Sequence, residues 1–250
     1  MIKAQMKILT KRVVALDTIE MNLQNDYISK HALPGQFLHI QVGNYTLRRP
    51  VSIADCNRET GTVTILFRVS GKGTNELATY DSGKMLDVLG PIGNGYPINL
   101  ESPSTVLLVG GGIGIPPLYY LGKTLKEKGI NVLSVLGYQG KEHVFLEQEF
   151  LELGKSIIVT NDGTYGEKGF VTDFLDRIGL YDCYYSCGPI PMLKAVSAKL
   201  KDKQGYISLE ERMGCGVGAC FACVIPTKEG TGYKKICKDG PVFKAEEVLL

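Results

Sequence analysis

Apolar positions in residues 1–100 fall in short alternating runs divided by turn residues. Residues 7–16 (KILTKRVVAL) alternate moderately, and 36–42 (QFLHIQV) follow Pro34-Gly35. Residues 62–69 (TVTILFRV) follow Glu59-Thr60-Gly61, and 84–90 (KMLDVLG) follow Asp81-Ser82-Gly83. Alternation of this length between turn signals predicts β-strands, and strands at this spacing predict a small antiparallel barrel or sandwich. One short helix is expected near Thr74–Tyr80. His39 falls within a strand and reads as a packing residue.

The texture changes around Glu101-Ser102-Pro103-Ser104. A continuous apolar run, TVLLVGGGIG, enters glycines and then an amphipathic helix with Leu118, Leu121 and Leu125 on one face. That helix should end at Lys126, Lys128 and Gly129, which suit a C-terminal dipole and cap. Then come NVLSVLGYQG, SIIVTNDG, a helical VTDFLDRIG, YDCYYSCGP and a helical PMLKAVSAKL. Strands alternating with helices imply βαβ units and a parallel sheet covered on both faces. GYISLEERM reads as a last strand running directly into cysteine-rich loops. The expected layout is therefore multi-domain β plus α/β: an antiparallel β-barrel at 1–100, an α/β domain at 101–212 and a small cysteine-bearing domain at 213–250.

Composition narrows the class. With 250 residues there is ample material for sizeable cores. The net charge is +2 with no basic block, so neither a nucleic-acid partner nor a charged membrane surface is expected. No stretch approaches the roughly 20 apolar residues of a membrane span, and the first residues do not read as a secretory signal. Seven cysteines, an odd number, argue for a reducing compartment rather than a disulfide scaffold, so a soluble cytoplasmic protein is expected. Cys56, Cys183 and Cys187 read as free thiols.

The other four cysteines, Cys215, Cys220, Cys223 and Cys237, follow C-x4-C-x2-C with the fourth after thirteen intervening residues. This asymmetric spacing is the plant-type [2Fe–2S] ligand pattern. The surrounding glycines let backbone wrap closely around a cluster and aim N–H groups at its sulfurs. A structural zinc site is the alternative, although zinc sites usually pair two short C-x2-C knuckles and only one is present.

Four weaker motifs precede it. In Arg49-Pro50-Val51-Ser52, placed at the end of a barrel strand, a guanidinium could hold a pyrophosphate and a hydroxyl could reach a flavin ring edge; a solvated arginine beside a strand proline is the plainer reading. Gly71-Lys72-Gly73-Thr74 opens the short helix, as a phosphate cradle or as an ordinary capped turn. Val109-Gly110-Gly111-Gly112-Ile113-Gly114-Ile115-Pro116-Pro117 joins a buried strand to a helix where an α/β sheet binds a dinucleotide. The G-x-G-x-x-G fingerprint fails there, because its third glycine falls on Ile115, and no acidic residue closes the next strand. A simple dehydrogenase is thus disfavoured. Finally Cys187-Gly188-Pro189, with Met192, ends a parallel strand facing the ligand crevice, where Cys187 is either a small core filler or a nicotinamide contact.

In sequence order, R-P-V-S, G-x-G-T, G-G-G-x-G-x-x-P and C-G-P-x-x-M resemble the ferredoxin reductase family. Glu211–Cys220 (ERMGCGVGAC) and Cys237–Phe243 (CKDGPVF) resemble, within it, the electron-transfer subunits of two-protein, NAD-dependent dihydroorotate dehydrogenases. The resemblance spans essentially the whole chain. It implies a barrel binding FAD through Arg49, Pro50, Val51, Ser52, Leu66, Phe67, Arg68, Gly73 and Thr74, with Ser52 near flavin N5 and no aromatic stacking from Val51. It implies NAD bound with its pyrophosphate at Gly111, Gly112 and Gly114 and its nicotinamide near Cys187. The cluster ligands would be Cys215, Cys220, Cys223 and Cys237; some related ferredoxin–NADP oxidoreductase subunits replace one by Asp, but all four are Cys here. Asp162 in Asn161-Asp162-Gly163 would repel a 2′-phosphate, which favours NAD over NADP.

The implied role is to relay electrons from an FMN-containing dihydroorotate dehydrogenase catalytic subunit, through [2Fe–2S] and FAD, to NAD+, within a heterotetramer of two subunits of each kind. The family places the reacting groups at Ser52 and Cys187, and the chain carries no recognisable site for oxidising dihydroorotate itself. Two other readings stay open at this point: an NADH-linked reductase subunit serving ferredoxin, a hydrogenase or polysulfide, and a zinc-stabilised regulatory module that binds nucleotide without turnover.

Overall fold

A computed structural model describes residues 1–99, 104–228, 230 and 232–250. The expected boundary at residues 101–103 lies outside them. The first six strands are β1 (Ile2–Ala15), β2 (Thr18–Gln24), β3 (Phe37–Ile40), β4 (Arg49–Asn57), β5 (Thr62–Arg68) and β6 (Met85–Ile92). They close into an antiparallel barrel in the order β1-β2-β5-β4-β3-β6. Strand alternation sends Leu38, Ile40, Val51, Ile53, Val63, Ile65 and Phe67 into the barrel core. Helices α1 (Asp26–His31) and α2 (Lys72–Ala78) interrupt the strands.

A second sheet follows, built from β7 (Thr105–Gly111), β8 (Asn131–Tyr138), β9 (Gly154–Thr160), β10 (Glu167–Lys168), β11 (Cys183–Cys187) and β12 (Gln204–Ser208). Its helices are α3 (Ile115–Glu127), α4 (Glu147–Leu153) and α5 (Ile190–Lys199). The order is β10-β9-β8-β7-β11-β12, all parallel. The two halves diverge between β7 and β11, so the ligand crevice of such a sheet should open beyond Gly111 and Cys187. Successive residues of β7 feed opposite cores: Val106 and Leu108 pack with Leu118, Leu121 and Leu125 of α3. Leu107 and Val109 pack with Leu193 and Val196 of α5. Prolines 116 and 117 sit in the first turn of α3, where no intrahelical hydrogen bond is lost. Gly129 stands just past the end of α3 at φ +79°, as its position after the lysines implied.

Two expectations change. Residues 171–179, expected to be helical, form only a 3-10 turn at Val171–Phe174. They still bury Val171, Phe174, Leu175 and Ile178, so the helical apolar period is kept without the helix. The segment lies between Gly169 (φ +140°) and Gly179 (φ +136°), whose left-handed backbone breaks a helical run at both ends. Arg49-Pro50-Val51-Ser52 opens β4 rather than ending a strand. Proline is tolerated there because the other edge of β4 pairs with β5 only from Ile53 onward.

The C-terminal residues add the hairpin β13 (Val224–Pro226) and β14 (Tyr233–Lys235), the turn-length helix α6 (Ile236–Asp239) and β15 (Val242–Lys244). Strand β15 returns to the parallel sheet as an antiparallel edge on β12. The cysteine loops are thereby tied back to the α/β unit and packed against Phe37 of the barrel in one core. Helix α3 is fastened to the barrel as well: the Tyr120 hydroxyl donates to Ala32 O at 3.0 Å, and Lys123 pairs with Asp55 at 2.8 Å. Among the described residues no helix is long and apolar enough to cross a membrane.

Candidate functional site

The two barrel motifs, 24 residues apart in sequence, meet in space. A Cβ placed on Gly73 would fall 2.0 Å from Arg49 Nε, so the guanidinium lies flat against the first turn of α2. Its Cζ lies over the Tyr45 ring, 4.9 Å from the ring centre. The Thr74 hydroxyl accepts from the N–H groups of Ser70 (3.0 Å) and Gly71 (3.1 Å). Lys72, Gly73 and Thr74 are left with N–H groups that have no intrahelical acceptor beside a fixed positive charge. Such donors suit a pyrophosphate. Val51 and Phe67 point into the barrel core, Leu66 packs outward under the α/β unit, and Arg68 is exposed.

Pro50 and Ser52, on the opposite face of β4 from Val51, line a cavity of about 420 Å³ with Phe37, Ser208, Glu210 and Pro241. The barrel forms one wall of it; the segment that leads from β12 into the cysteine loops forms the other. Ser52 Oγ donates to Glu210 Oε1 at 3.4 Å. Glu210 keeps solvent contact along the open side, yet the protein around it desolvates the carboxylate and raises its pKa to about 7. The Tyr96 side chain is buried, and its hydroxyl has no hydrogen-bond partner. Sequence reasoning passed over Glu210 and Tyr96. Neither lies in a motif, and Glu210 stands beside an equally acidic Glu211 that the spacing cannot tell apart from it.

At the crevice the glycines differ in task. A Cβ on Gly114 would meet the Cys187 carbonyl and the Gly188 nitrogen at 2.5 Å, and one on Gly111 would meet Met192 Sδ at 2.5 Å. These two let the β7–α3 turn lie directly on the β11–α5 turn. Gly112 has left-handed backbone (φ +52°) and nothing within 4 Å of its missing Cβ, so it faces open space. Cys187 is completely buried, and burial raises its thiol pKa well above the ordinary value. Asp162, on the loop after β9, is exposed. Its Oδ1 accepts from Thr164 N (2.9 Å) and Oγ1 (2.7 Å), and the backbone N–H of Thr164 foremost holds its carboxyl below the usual range.

The four loop cysteines fall into two pairs. Cys220 N–H donates to Cys215 Sγ (3.3 Å), and Cys215 N–H donates to Cys220 Sγ (3.4 Å). Cys223 and Cys237 are buried against each other, with Gly218 N–H donating to Cys237 Sγ at 3.2 Å. Burial opposes ionisation of Cys215, but the N–H groups of Cys220 and Val217 outweigh it and bring that thiol down to about 6. Desolvation, then the neighbouring Cys223, push Cys237 up to about 12. Among the described residues no three His, Cys, Asp or Glu side chains converge on a single-ion site. Two neighbouring thiol pairs with N–H groups aimed at sulfur are a donor set suited to a two-iron, sulfide-bridged cluster. His39 of β3 packs against this loop: it is completely buried, and neither ring nitrogen has a hydrogen-bond partner. Burial pushes its pKa down to about 4.

Comparison with known proteins agrees with this arrangement. Residues 210–249 match the iron–sulfur cluster binding domain of dihydroorotate dehydrogenase B. The chain is 49% identical over 256 aligned positions to the dihydroorotate dehydrogenase B (NAD(+)) electron transfer subunit of Bacillus cereus, covering 99% of each chain, and equally to that of Bacillus anthracis. Among solved structures it is similar to an NADH-dependent reduced ferredoxin-NADP oxidoreductase studied for flavin-based electron bifurcation. There the TM-score is 0.89 at 34% identity, over 98% of this chain and 90% of that one. The ferredoxin reductase in carbazole 1,9a-dioxygenase shares the fold, with TM-score 0.69 at 20% identity over 81% of this chain and 66% of that one.

Proposed function

Because this chain belongs to the family of dihydroorotate dehydrogenase B electron transfer subunits, we propose a division of labour among its residues for that activity. The chain is the electron-transfer component of an oxidoreductase: electrons leave a catalytic partner subunit that converts dihydroorotate to orotate, pass through [2Fe–2S] and FAD, and reduce NAD+. When bound, FAD exchanges hydride with the nicotinamide and single electrons with the cluster.

In this reading Arg49 and the first turn of α2, with Gly73 and Thr74, hold the FAD pyrophosphate, while Leu66, Phe67 and Arg68 supply backbone along β5. Pro50 and Ser52 flank the ring cavity; Ser52 and Glu210 hold and move a proton there. Gly112 admits the NAD pyrophosphate between turns that Gly111 and Gly114 bring into contact, and Cys187 shapes the nicotinamide end from beneath. Asp162 accepts from ribose hydroxyls. Cys215, Cys220, Cys223 and Cys237 hold the cluster. The functional units are 1–100, 101–212 and 213–250. The partner carries FMN, two copies of each subunit assemble, and the complex works in the cytoplasm. The docking face is the exposed apolar rim of the cysteine loops, Val217, Phe221 and Tyr233, of which Phe221 immediately follows the ligand Cys220.

One observation carries this reading. The cavity that contains Ser52 is walled on its far side by the same short segment that continues into Cys215, so a flavin there lies beside the cysteine loop. Anaerobic purification of the full chain tests it. The expected result is a brown protein with FAD and two irons with acid-labile sulfide per chain. A colourless, zinc-bearing protein without flavin contradicts it.

A further inference from the structure

We propose that His39 is a hydrogen-bond donor from the barrel to the sulfur of the cluster held by the cysteine loop, and so a positioning residue that sets the cluster's reduction potential. The inference rests on the four-cysteine cluster reading. Its basis is the parity of β3. Leu38 and Ile40 fill the barrel, whereas Phe37 and His39 point the other way, toward the cysteine loops. Phe37 lines the cavity assigned to the flavin. His39, two residues along the same face, is covered by the loop itself: a Cβ on Gly216 would fall 2.5 Å from His39 Nδ1. Gly216 directly follows Cys215 and has left-handed backbone (φ +71°), so the absence of a side chain both permits the turn and brings the imidazole against it.

The imidazole is completely buried, and neither Nδ1 nor Nε2 meets a protein partner. The His39 carbonyl accepts from Arg48 Nη1 at 3.3 Å, and the Arg48 backbone lies close to the ring without a hydrogen bond of normal geometry to either nitrogen. A buried polar group without a partner is costly, and an apolar residue would fill this place better unless an acceptor comes to the ring. Cluster sulfurs are such acceptors. They gain negative charge on reduction, so an N–H aimed at them stabilises the reduced form more than the oxidised one and raises the potential. The barrel would thereby tune the cluster through the same strand that carries a wall of the flavin cavity.

The test is an anaerobic, EPR-monitored redox titration of the full chain with its cofactors, as wild type, His39→Leu and His39→Gln. The cluster midpoint is expected to move to a more negative potential in His39→Leu and to return toward the wild-type value in His39→Gln, whose amide restores a donor. An intact cluster in His39→Leu with an unmoved midpoint overturns the proposal. Should that variant fail to fold, pulsed EPR of reduced wild-type protein labelled with 15N-histidine decides: a weak histidine-nitrogen coupling supports the bond, and its absence overturns it. Absence of iron and sulfide from wild-type protein removes the cluster reading itself, which is a different observation from an unmoved midpoint.

Discussion

Glu210 is a side chain whose environment differs from what its neighbours in sequence would indicate. Its carboxyl ionises near 4.5 in an unfolded chain and near 7 in the fold. Between those values the unfolded chain binds fewer protons, so folded-state stability falls as pH rises from about 4.5 to about 7 and levels off above. Glu210→Gln should remove that decline, seen as urea midpoints of the flavin-free chain that differ less between pH 5 and pH 8 than in wild type. An unchanged pH dependence would place the proton elsewhere. Asp162→Arg should raise kcat/KM for NADPH by about tenfold or more, because a guanidinium replaces the charge that repels a 2′-phosphate; no gain would count against placing the adenosine ribose at this loop. The four cysteines proposed as ligands were legible in the sequence because their spacing is itself the signal. Glu210, Tyr96 and His39 were not, since each owes its character to segments far away in sequence. His39, read as packing, does lie in the interior, but the loop that buries it begins some 175 residues later.

The turns at the crevice make a sharper test than the motif alone could offer. Gly114→Ala would press a methyl into the backbone of the β11–α5 turn, which cannot swing aside like a flexible side chain. The expected cost is about 1–3 kcal/mol in thermal or urea unfolding, with weakened NADH binding. Gly112→Ala meets no atom, so its cost should be only that of left-handed backbone, about 1–2 kcal/mol. Equal stability of Gly114→Ala and wild type would mean the two turns are not in contact. Most strands were readable from alternation and turn residues, and the βαβ order from the switch to continuous apolar runs. The strand opening at Arg49 was misplaced, because proline marks a strand edge without saying which edge. The closing strand β15 was missed because three residues, Val242–Lys244, carry too little pattern, and their place beside β12 is decided by packing rather than period.

Phe221 and Tyr233 remain 59% and 54% exposed, stacked edge to face with 5.4 Å between ring centres. Aromatic side chains left together in water beside a redox loop are candidates for interface anchors, and replacing both by alanine should weaken association with the catalytic subunit by about tenfold or more. Flavin and iron content should stay unchanged; an unaltered dissociation constant in sedimentation or surface-binding measurements would move the docking face elsewhere. The order barrel, α/β unit, cysteine loops could be read along the chain. How the loops are wedged between the other two could not, because it depends on β15 returning to the sheet and on Phe37 and His39 facing out of the barrel. The central claim is that this chain carries electrons from dihydroorotate oxidation to NAD+. The most direct test mixes it anaerobically with its catalytic partner and follows NADH formation from dihydroorotate and NAD+. The account predicts NADH only when both subunits are present, and loss of that activity when Cys215 is replaced by serine. A flavin- and iron-bearing chain that oxidises NADH with artificial acceptors, yet yields no NADH from dihydroorotate with the partner, would contradict it.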